Sequence, residues 1–426
     1  MQRLDARDPG FGAAFAALVA DKRDDDAGVA DDVAAILRDV RARGDAAVHA
    51  LTLRFDRIDL SAVGSRIGAD EINAARAQVP PETLAALEFA AARIRAFHAV
   101  QRPSDRDATD NAGVRAGWRW SAVAAAGLYV PGGRASYPSS VLMNAIPAAD
   151  AGVERVVMVT PGPTPLVLAA AHLAGITEIH RIGGAQAVGA LAYGTASIAP
   201  VDVVVGPGNA WVAEAKRQLY GTVGIDMVAG PSEIVVVSDA KSNPDWVAID
   251  LLSQAEHDPA AQSVLITDSA DFGDAVAAAV TARLATLATR AVAQASWEAH
   301  GAIIVVAILA DAVPLLDALA PEHVELMVDD PHALFARLRH AGSVFLGRHT
   351  PEAAGDYAGG PNHVLPTGRR ARFASGLSVT DFMKRTTFLD CGPGGLAAIG
   401  PAAATLADAE GLPAHAASVR ARLQRP

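Results

Sequence analysis

From about residue 121 onward, short apolar runs alternate with segments that carry apolar residues at helical spacing. The runs at 156–160, 179–182 and 201–205 predict strands, and each is followed by a glycine- or proline-containing turn and then a helix. Because strands that alternate with helices build βαβ units, and continuous apolar strands are covered on both faces, this region predicts a parallel sheet.

A second region of the same kind occupies 234–346. Its strands are predicted at 234–237, 264–267, 303–306, 324–328 and 344–346. A helix is predicted at 245–257, where Asn243 and Pro244 mark the start and Pro259 the end. Two regions of repeated βαβ units predict an α/β fold with two Rossmann-like parallel-sheet domains rather than a solenoid.

The two ends of the chain are predicted to be helical. Segments 31–43 and 81–100 carry apolar residues at helical spacing, and the part before residue 103 shows no obvious chemistry. A polar loop is expected at 102–112, and 381–426 is expected to be helical again. Between them, 350–376 is rich in glycine and proline, and a structureless stretch of this length in a compact domain is usually functional or disordered.

Composition narrows the class of protein. The 426 residues are 51% hydrophobic and 19% charged, which is too apolar for a disordered chain. The net charge is −11, from 36 Lys and Arg against 47 Asp and Glu, so nucleic acid is not expected as a partner. The only cysteine, Cys391, excludes an internal disulfide and Cys-cluster metal sites. With no apolar run near the ~20 residues that span a bilayer and no signal peptide, we expect a cytoplasmic protein without a membrane partner.

Three glycine-containing turns follow strands of the first region, at 127–133, 183–186 and 206–209. Ligands of open α/β sheets bind beyond the carboxyl ends of strands, and glycines allow a close backbone approach, which suits a nucleotide. The GxGxxG fingerprint is absent, because Trp211 stands where its third glycine would be. Ordinary turns between strands and helices therefore remain an alternative interpretation.

Two pairs of residues suggest proton and metal chemistry. Gln254 and His257 lie three positions apart near the end of a predicted helix, so they project from one face and could bind a metal. For this segment by itself, a polar helix end with a histidine placed favourably for the helix dipole is the preferred interpretation. Glu322 and His323 lead into a strand and could handle protons, although an exposed acidic loop is an alternative.

Further candidate ligands lie near the carboxyl end of the chain. Asp356 and His363 fall in the 350–376 segment, and Glu410 and His415 lie close to the C-terminus. Gln254, His257, Asp356 and His415 would together form a nitrogen and oxygen ligand set without thiolate, which fits zinc or another divalent ion. The spacing does not show that these four meet, and His363 receives no role.

Seven segments occur in the order that is found in one enzyme family. They are YVPGGRASYPSSVLMNAIPA, GGAQAVGALAYGT, GPGNAWVAEAK, DMVAGPSEI, DLLSQAEHDPAAQ, APEHVEL and GDYAGGPNHVLPT. With them the chain resembles the histidinol dehydrogenases from about residue 25 to residue 420. The resemblance implies oxidation of L-histidinol through L-histidinaldehyde to L-histidine, the final steps of histidine biosynthesis. It also implies one Zn²⁺ per subunit, two NAD consumed per substrate and a homodimer with shared active sites.

The resemblance also implies roles for particular residues. The zinc ligands would be Gln254, His257, Asp356 and the partner subunit's His415, and the acid/base pair would be Glu322 and His323. NAD contacts would come from Tyr129, Gln186 and Asn209. Substrate contacts would come from Ser232, Gln254, His257, His323, Asp356, Glu410 and His415. His323 would take the alcohol proton, and Glu322 would activate the water that attacks the aldehyde.

The same resemblance suggests a division of the chain into domains. An N-terminal helical element would cover 1–24, and a first Rossmann-like domain with the metal and acid/base residues would combine 25–120 with 234–376. A second Rossmann-like domain on the NAD side would cover 121–233. A C-terminal helical element with His415 would cover 377–426, and the small end elements are expected to be swapped in the homodimer.

Three alternatives stay open at the level of sequence. An NAD-dependent dehydrogenase of another amino alcohol would use the same machinery with different groups around Ser232 and Glu410. A zinc hydrolase would use a metal-bound water and need no NAD. A zinc-stabilised binding protein without catalysis would have a closed metal site.

Overall fold

Two parallel sheets and one antiparallel sheet form the framework of the computed structural model, which describes residues 1–21, 28–132, 137–228 and 230–424. The strands are β1 (Gln2–Asp5), β2 (Arg106–Thr109), β3 (Val114–Ala122), β4 (Ala125–Tyr129), β5 (Arg155–Val159), β6 (Glu178–His180), β7 (Val203–Val205), β8 (Gly224–Ile225), β9 (Glu233–Ser238), β10 (Gln262–Thr267), β11 (Ala302–Val305), β12 (His323–Met327), β13 (Ser343–Leu346) and β14 (Met383–Cys391).

The helices surround these sheets. They are α1 (Phe11–Ala20), α2 (Ala30–Arg43), α3 (Asp45–Asp56), α4 (Leu60–Val63), α5 (Ala69–Arg76), α6 (Pro81–His98), α7 (Pro138–Ala151), α8 (Pro165–Leu173), α9 (Gly184–Tyr193), α10 (Ala210–Leu219), α11 (Pro244–Ala255), α12 (Ala270–Leu284), α13 (Arg290–His300), α14 (Ala312–Leu319), α15 (Pro331–Phe335), α16 (Glu352–Ala354), α17 (Pro393–Ala409) and α18 (Pro413–Leu423). Shorter turns are Leu309–Asp311, Gly355–Gly359, Arg370–Arg372 and Val379–Phe382.

The five-stranded sheet has the order β6-β5-β4-β7-β8, and all its strands run parallel. β4 lies in the middle and is buried along its whole length, as continuous apolar strands under helices should be. The chain proceeds from β4 to β5 and β6 on one side and then returns to β7 on the other. This change of direction opens a crevice at the carboxyl ends of β4 and β7, where ligands of such sheets bind.

The six-stranded sheet has the order β1-β11-β10-β9-β12-β13 and is also parallel throughout. The parallel α/β architecture predicted from sequence is confirmed for both regions. β1, at the very start of the chain, joins the edge of this sheet beside β11, although only a helical element was expected there. Four residues without alternating polarity gave no strand signal.

The helices between residues 30 and 98 pack on the five-stranded sheet. Ile36 and Leu51 share one buried cluster with Val188 and Leu191 of α9. Residues of α5 and α6 share another with α7 and α8. This packing favours grouping 30–98 with the NAD-side domain. The domain boundaries given above remain a prediction, and the one at 24–25 lies outside the described residues.

The antiparallel sheet has the order β14-β3-β2 and joins distant parts of the chain. β14 pairs with β3 along its full nine residues. The helical prediction for 381–426 is therefore wrong at Met383–Cys391, and the loop prediction for 102–112 is wrong at Arg106–Thr109. Seven of the nine residues of β14 are exposed, so the chain shows no alternation of apolar and polar positions that would indicate a strand. Among the described residues, none of the helices has the length and apolar character that crossing a membrane would require.

Candidate active site

His323 begins β12, the strand that lies between β9 and β13. The residue is 4% exposed, and its Nδ1 lies 3.0 Å from Oε1 of Gln254 and 3.1 Å from the carbonyl oxygen of Glu233. Both neighbours are acceptors, so the proton of the neutral ring lies on Nδ1 and Nε2 keeps its lone pair. Burial lowers the pKa of His323, which favours this neutral form. His323 is thus held as a base with Nε2 free to accept a proton.

Glu322, the preceding residue, is buried rather than part of an exposed acidic loop. Its Oε2 accepts a hydrogen bond of 3.0 Å from the backbone N–H of Glu233 and lies 3.7 Å from Nδ1 of His323. Burial raises the pKa of Glu322 well above its ordinary value, and the nearby carboxylates of Glu233, Asp356 and Glu352 add to this. A raised pKa brings a carboxyl group toward the range in which it can exchange protons at physiological pH.

Two carboxylates from the segment after β13 face Nε2 of His323. Oε1 of Glu352 lies 3.9 Å and Oδ1 of Asp356 3.8 Å from that nitrogen. α16 and the turn Gly355–Gly359 place these two residues four positions apart on successive turns. Burial, followed by the charge and hydrogen bond of Glu352, raises the pKa of Asp356 to about 9. Two carboxylates held this close are unfavourable unless a proton or a cation lies between them.

The donor set fits a cation. Ligand atoms of His323, Glu352 and Asp356 all lie within 4.8 Å of one another. Nε2 of His323 is buried without a hydrogen-bond partner, and a buried polar atom of this kind calls for an explanation. Imidazole nitrogen and carboxylate oxygen are ligands that zinc and its neighbouring divalent ions accept.

A second buried carboxyl pair lies behind this cluster. On β12, His323 and Glu325 point to one face because they are two residues apart, and on α11 Gln254 and Asp250 are four apart. His323 contacts Gln254, and burial, followed by the charge of Asp250, raises the pKa of Glu325 well above its ordinary value. Oε1 of Glu325 also accepts a 2.6 Å hydrogen bond from the backbone N–H of Glu352. This contact fixes the start of the segment that carries Glu352 and Asp356.

The rest of that segment is anchored to the helices of the other sheet. The Asn362 side chain donates to the carbonyl oxygen of Met143 at 2.6 Å, and His363 lies between the Asp356 carbonyl oxygen at 3.0 Å and Oγ of Ser140 at 3.4 Å. Burial lowers the pKa of His363 to about 4. Because the Asp356 carbonyl oxygen is an acceptor, the proton of His363 lies on Nδ1. The neutral ring thus connects Asp356 with Ser140 on α7.

A cavity of about 600 Å³ lies at the carboxyl edge of the five-stranded sheet. Tyr129, Gln186 and Asn209, the three residues assigned to NAD, all line it. Nε2 of Gln186 is buried without a partner, and the Tyr129 hydroxyl accepts a 3.0 Å hydrogen bond from the N–H of Gly184. Asn209 caps α10 through a 3.2 Å hydrogen bond from the N–H of Val212. The last residue of the 127–133 turn, Gly133, lies outside the described residues.

A buried ion pair holds the turn that carries Asn209 in place. Nζ of Lys216 contacts Oδ1 of Asp226, and both side chains are at most 4% exposed. Lys216 donates to the carbonyl oxygen of Gly206 at 3.0 Å, while Asp226 accepts from its N–H at 2.8 Å. Gly206 has φ +113°, and a Cβ there would lie 2.1 Å from the carbonyl oxygen of Tyr129, so only glycine fits.

Not all the residues assigned from sequence come together in one chain. Ser232 precedes β9, and its carbonyl oxygen accepts the N–H of Gln262. His257 lies exposed in the turn after α11. Glu410 and His415 are exposed on the α17–α18 hairpin. The structure gives no contact between these last two residues and the His323 cluster within the described part of this chain.

Several residues at the two sites received no role from sequence. Glu352 could have been found from its four-residue spacing to Asp356, but the segment was interpreted as a loop, where such spacing has no meaning. Residues from the helices before residue 60 also line the cavity, namely Ile36, Phe55, Asp56 and Ile58. Packing on the sheet thus brings to the cavity a part of the chain in which the sequence shows no obvious chemistry.

Known proteins match this chain along its length. The family model for histidinol dehydrogenase matches residues 19–423. The chain is 62% identical over 428 residues to the histidinol dehydrogenase of Rhodospirillum rubrum, and 61% identical over 427 residues to that of Zymomonas mobilis. Both comparisons cover 99% of this chain and 99% of the relative. The crystal structure of histidinol dehydrogenase from Elizabethkingia anophelis is similar to it with a TM-score of 0.94 and 35% identity, covering 99% of this chain and 98% of that one.

Proposed function

The chain belongs to the histidinol dehydrogenase family, and on that premise we propose that it oxidises L-histidinol to L-histidine through L-histidinaldehyde, with NAD as the electron acceptor. Each of the two oxidations removes a hydride, and the second also consumes one water. The observation that carries the proposal is His323, a buried neutral imidazole whose Nδ1–H is fixed and whose Nε2 faces Glu352 and Asp356. A base held in this way can accept the hydroxyl proton of an alcohol.

The two acid/base residues then have separate tasks. Nε2 of His323 accepts the alcohol proton as the first hydride leaves, and the Nδ1–H bonds to Gln254 and Glu233 keep the ring oriented during the transfer. Glu322 accepts a proton from the water that adds to the aldehyde. After His323 has released the first proton to solvent, its neutral ring takes a hydroxyl proton of the resulting hydrate as the second hydride leaves. Burial of both residues excludes bulk water from the proton transfers.

We propose that Gln254, His257, Asp356 and the partner subunit's His415 hold a zinc ion. Bound there, the ion would hold the substrate by its imidazole and amino nitrogens and neutralise the surrounding carboxylates, without redox chemistry of its own. The close approach of the Glu352 and Asp356 carboxylates and the raised pKa of Asp356 support a cation at this place. Glu352 adds a further carboxylate beside the proposed ligands.

NAD is proposed to bind in the cavity that Tyr129, Gln186 and Asn209 line. The volume of about 600 Å³ and the change of strand order beside it support a dinucleotide there. Bound NAD would accept the hydride. We also place the enzyme in the cytoplasm, in agreement with the free thiol of Cys391.

The homodimer is part of the same proposal. α17 and α18 pack against each other, and apolar side chains such as Leu406, at 63% exposure, face outward. Ser232, Glu410 and His415 are assigned to substrate, yet the last two lie on this hairpin, away from the cluster around His323. A second copy whose hairpin reaches the cluster would complete the site, so each dimer would hold two shared active sites.

The experiment that tests the function counts reduced cofactor. Purified enzyme with L-histidinol and excess NAD is expected to yield about two NADH per L-histidine formed, since each hydride is transferred to NAD. Absorbance of the reduced nicotinamide and chromatography of the amino acid give the two amounts. A product that stops at the aldehyde, or histidinol that is not consumed, contradicts the proposal, and a panel of other amino alcohols serves as the control.

If the active sites are shared between subunits, two inactive variants should restore activity when they form hybrid dimers. His415→Asn and Gln254→Ala should each lower zinc per subunit and abolish most activity. When the two variants are unfolded, mixed in equal amounts and refolded, half the dimers are hybrids, and each hybrid has one intact site. The mixture should regain about one quarter of wild-type activity. Each variant refolded alone is the control, and a mixture that stays inactive would show that the sites are not shared.

A further inference from the structure

One carboxylate of the dinucleotide cavity is not used by any step described so far. Asp56 ends α3 and lines the cavity, and its Oδ2 is buried without a hydrogen-bond partner in the protein. A carboxylate at the C-terminus of a helix also faces the negative end of the helix dipole. A half-buried acid without a partner, in an unfavourable position, calls for a ligand that compensates it.

The surroundings of Asp56 indicate which part of a dinucleotide lies there. Its neighbour Phe55 and Trp211 form an aromatic pair, with ring centroids 6.5 Å apart, and both line the cavity together with Ile36 and Ile58. Aromatic and aliphatic side chains at the mouth of a cavity suit a planar base. α3 packs on the face of the five-stranded sheet opposite to α7, and α7 is the helix that contacts His363 next to the His323 cluster. Because the nicotinamide must reach the substrate at that cluster, the base nearest to Asp56 is the adenine, and the sugar beside it is the adenosine ribose.

We infer that the Asp56 carboxylate accepts a hydrogen bond from the adenosine ribose 2′-hydroxyl and so selects NAD over the 2′-phosphorylated dinucleotide. The inference rests on the proposed function, because it assigns a residue to the cofactor of that reaction. A hydroxyl supplies the donor that Oδ2 lacks. A 2′-phosphate would instead place at least one further negative charge against a half-buried carboxylate, and the resulting repulsion is strong where water is excluded.

The position of Asp56 in the chain differs from the usual arrangement. In dinucleotide folds with the glycine fingerprint, the acid that binds the ribose follows the second strand of the same sheet. Here the fingerprint is absent, and Trp211 stands at the place of its third glycine. Asp56 comes instead from a helix that packs on the sheet from the N-terminal part of the chain. The same chemistry is thus supplied from a different element.

Binding measurements without turnover test this assignment. Calorimetry with ADP-ribose and with 2′-phospho-ADP-ribose is expected to show at least tenfold tighter binding of ADP-ribose to the wild-type protein. Asp56→Asn keeps the shape of the side chain and removes its charge, and Asp56→Ser also leaves space for the 2′-phosphate. Both variants should bind ADP-ribose about tenfold more weakly and lose most of the discrimination against the phosphate. In steady-state assays the ratio of kcat/KM for NADP to that for NAD should rise about tenfold or more, through KM rather than kcat.

Asp59→Asn is the matched control. Asp59 lies three residues further along, does not line the cavity and caps α4 through a hydrogen bond to the N–H of Ser61, which asparagine can replace. The Asp59→Asn variant removes the same charge and should leave the affinities for ADP-ribose and 2′-phospho-ADP-ribose unchanged. Equal discrimination in Asp56→Asn and wild type, or an equal loss in Asp59→Asn, would overturn the inference. The calorimetry needs no histidinol, so it tests the role of Asp56 independently of the reaction. A failure of the proposed function would instead appear in the count of NADH per histidine.

Discussion

Replacing Glu322 with glutamine is expected to slow oxidation of the aldehyde by about 10²–10⁴-fold and to affect oxidation of the alcohol far less. Glutamine keeps the shape, and its side-chain oxygen can still accept the N–H of Glu233, so the fold should persist. It cannot take the proton of the attacking water. The measurement is single-turnover formation of NADH, started in one experiment from L-histidinol and in another from L-histidinaldehyde.

The pH dependence adds a second readout. Burial raises the pKa of Glu322, and only the ionised carboxylate accepts a proton, so wild-type aldehyde oxidation should increase as pH rises through this pKa. The glutamine variant should lack that increase. His323→Asn is the comparison, because His323 serves both oxidations and its loss should slow both. If Glu322→Gln slows the two oxidations equally, the division of tasks between the two residues is wrong.

Replacing Lys216 with methionine is expected to lower the free energy of unfolding by about 3–5 kcal/mol. Methionine fills similar space but leaves the Asp226 carboxylate buried without its cation. It also removes the hydrogen bond to the Gly206 carbonyl oxygen, which releases the turn that carries Asn209. Urea unfolding followed by far-UV circular dichroism measures the loss, and a higher KM for NAD is expected alongside it.

Two further variants show whether the unpaired charge of Asp226 causes the loss of stability in Lys216→Met. Lys216→Met combined with Asp226→Asn leaves no buried charge, and asparagine can still accept the N–H of Gly206. The double variant should therefore be more stable than Lys216→Met alone. Arg420→Met breaks the exposed ion pair with Asp408 and should change stability little. If the double variant is as unstable as the single one, lost packing rather than unpaired charge explains the effect.

The parallel strands could be predicted because they are buried on both faces. Runs such as Ile234–Val237 within β9 are apolar throughout, and helices cover them from both sides, so each leaves a clear signal in one chain. β14 shows the opposite case. Most of its side chains are exposed, and it pairs with β3 more than 260 residues earlier, so neither alternation nor a nearby partner marked it.

The residues of the site divide in a similar way. Gln254, Glu322 and His323 stand in short motifs, and the resemblance assigned them before their contacts were known. Asp56 could not be assigned from the residues alone, since what makes it unusual is a buried carboxylate oxygen without a partner. That property arises from tertiary packing and leaves no local pattern.

The cavity that we propose for NAD is lined by residues from five stretches of chain, at 36–58, 129–132, 161–162, 184–186 and 209–211. A growing polypeptide releases the first stretch long before the strands on which it must dock. The cavity therefore comes into existence late, when long-range contacts close, and contacts of this kind form slowly. A nucleotide at 100 times its dissociation constant would add about 2.7 kcal/mol to the finished fold. Bound coenzyme would therefore favour the state in which α2 and α3 are docked on the five-stranded sheet.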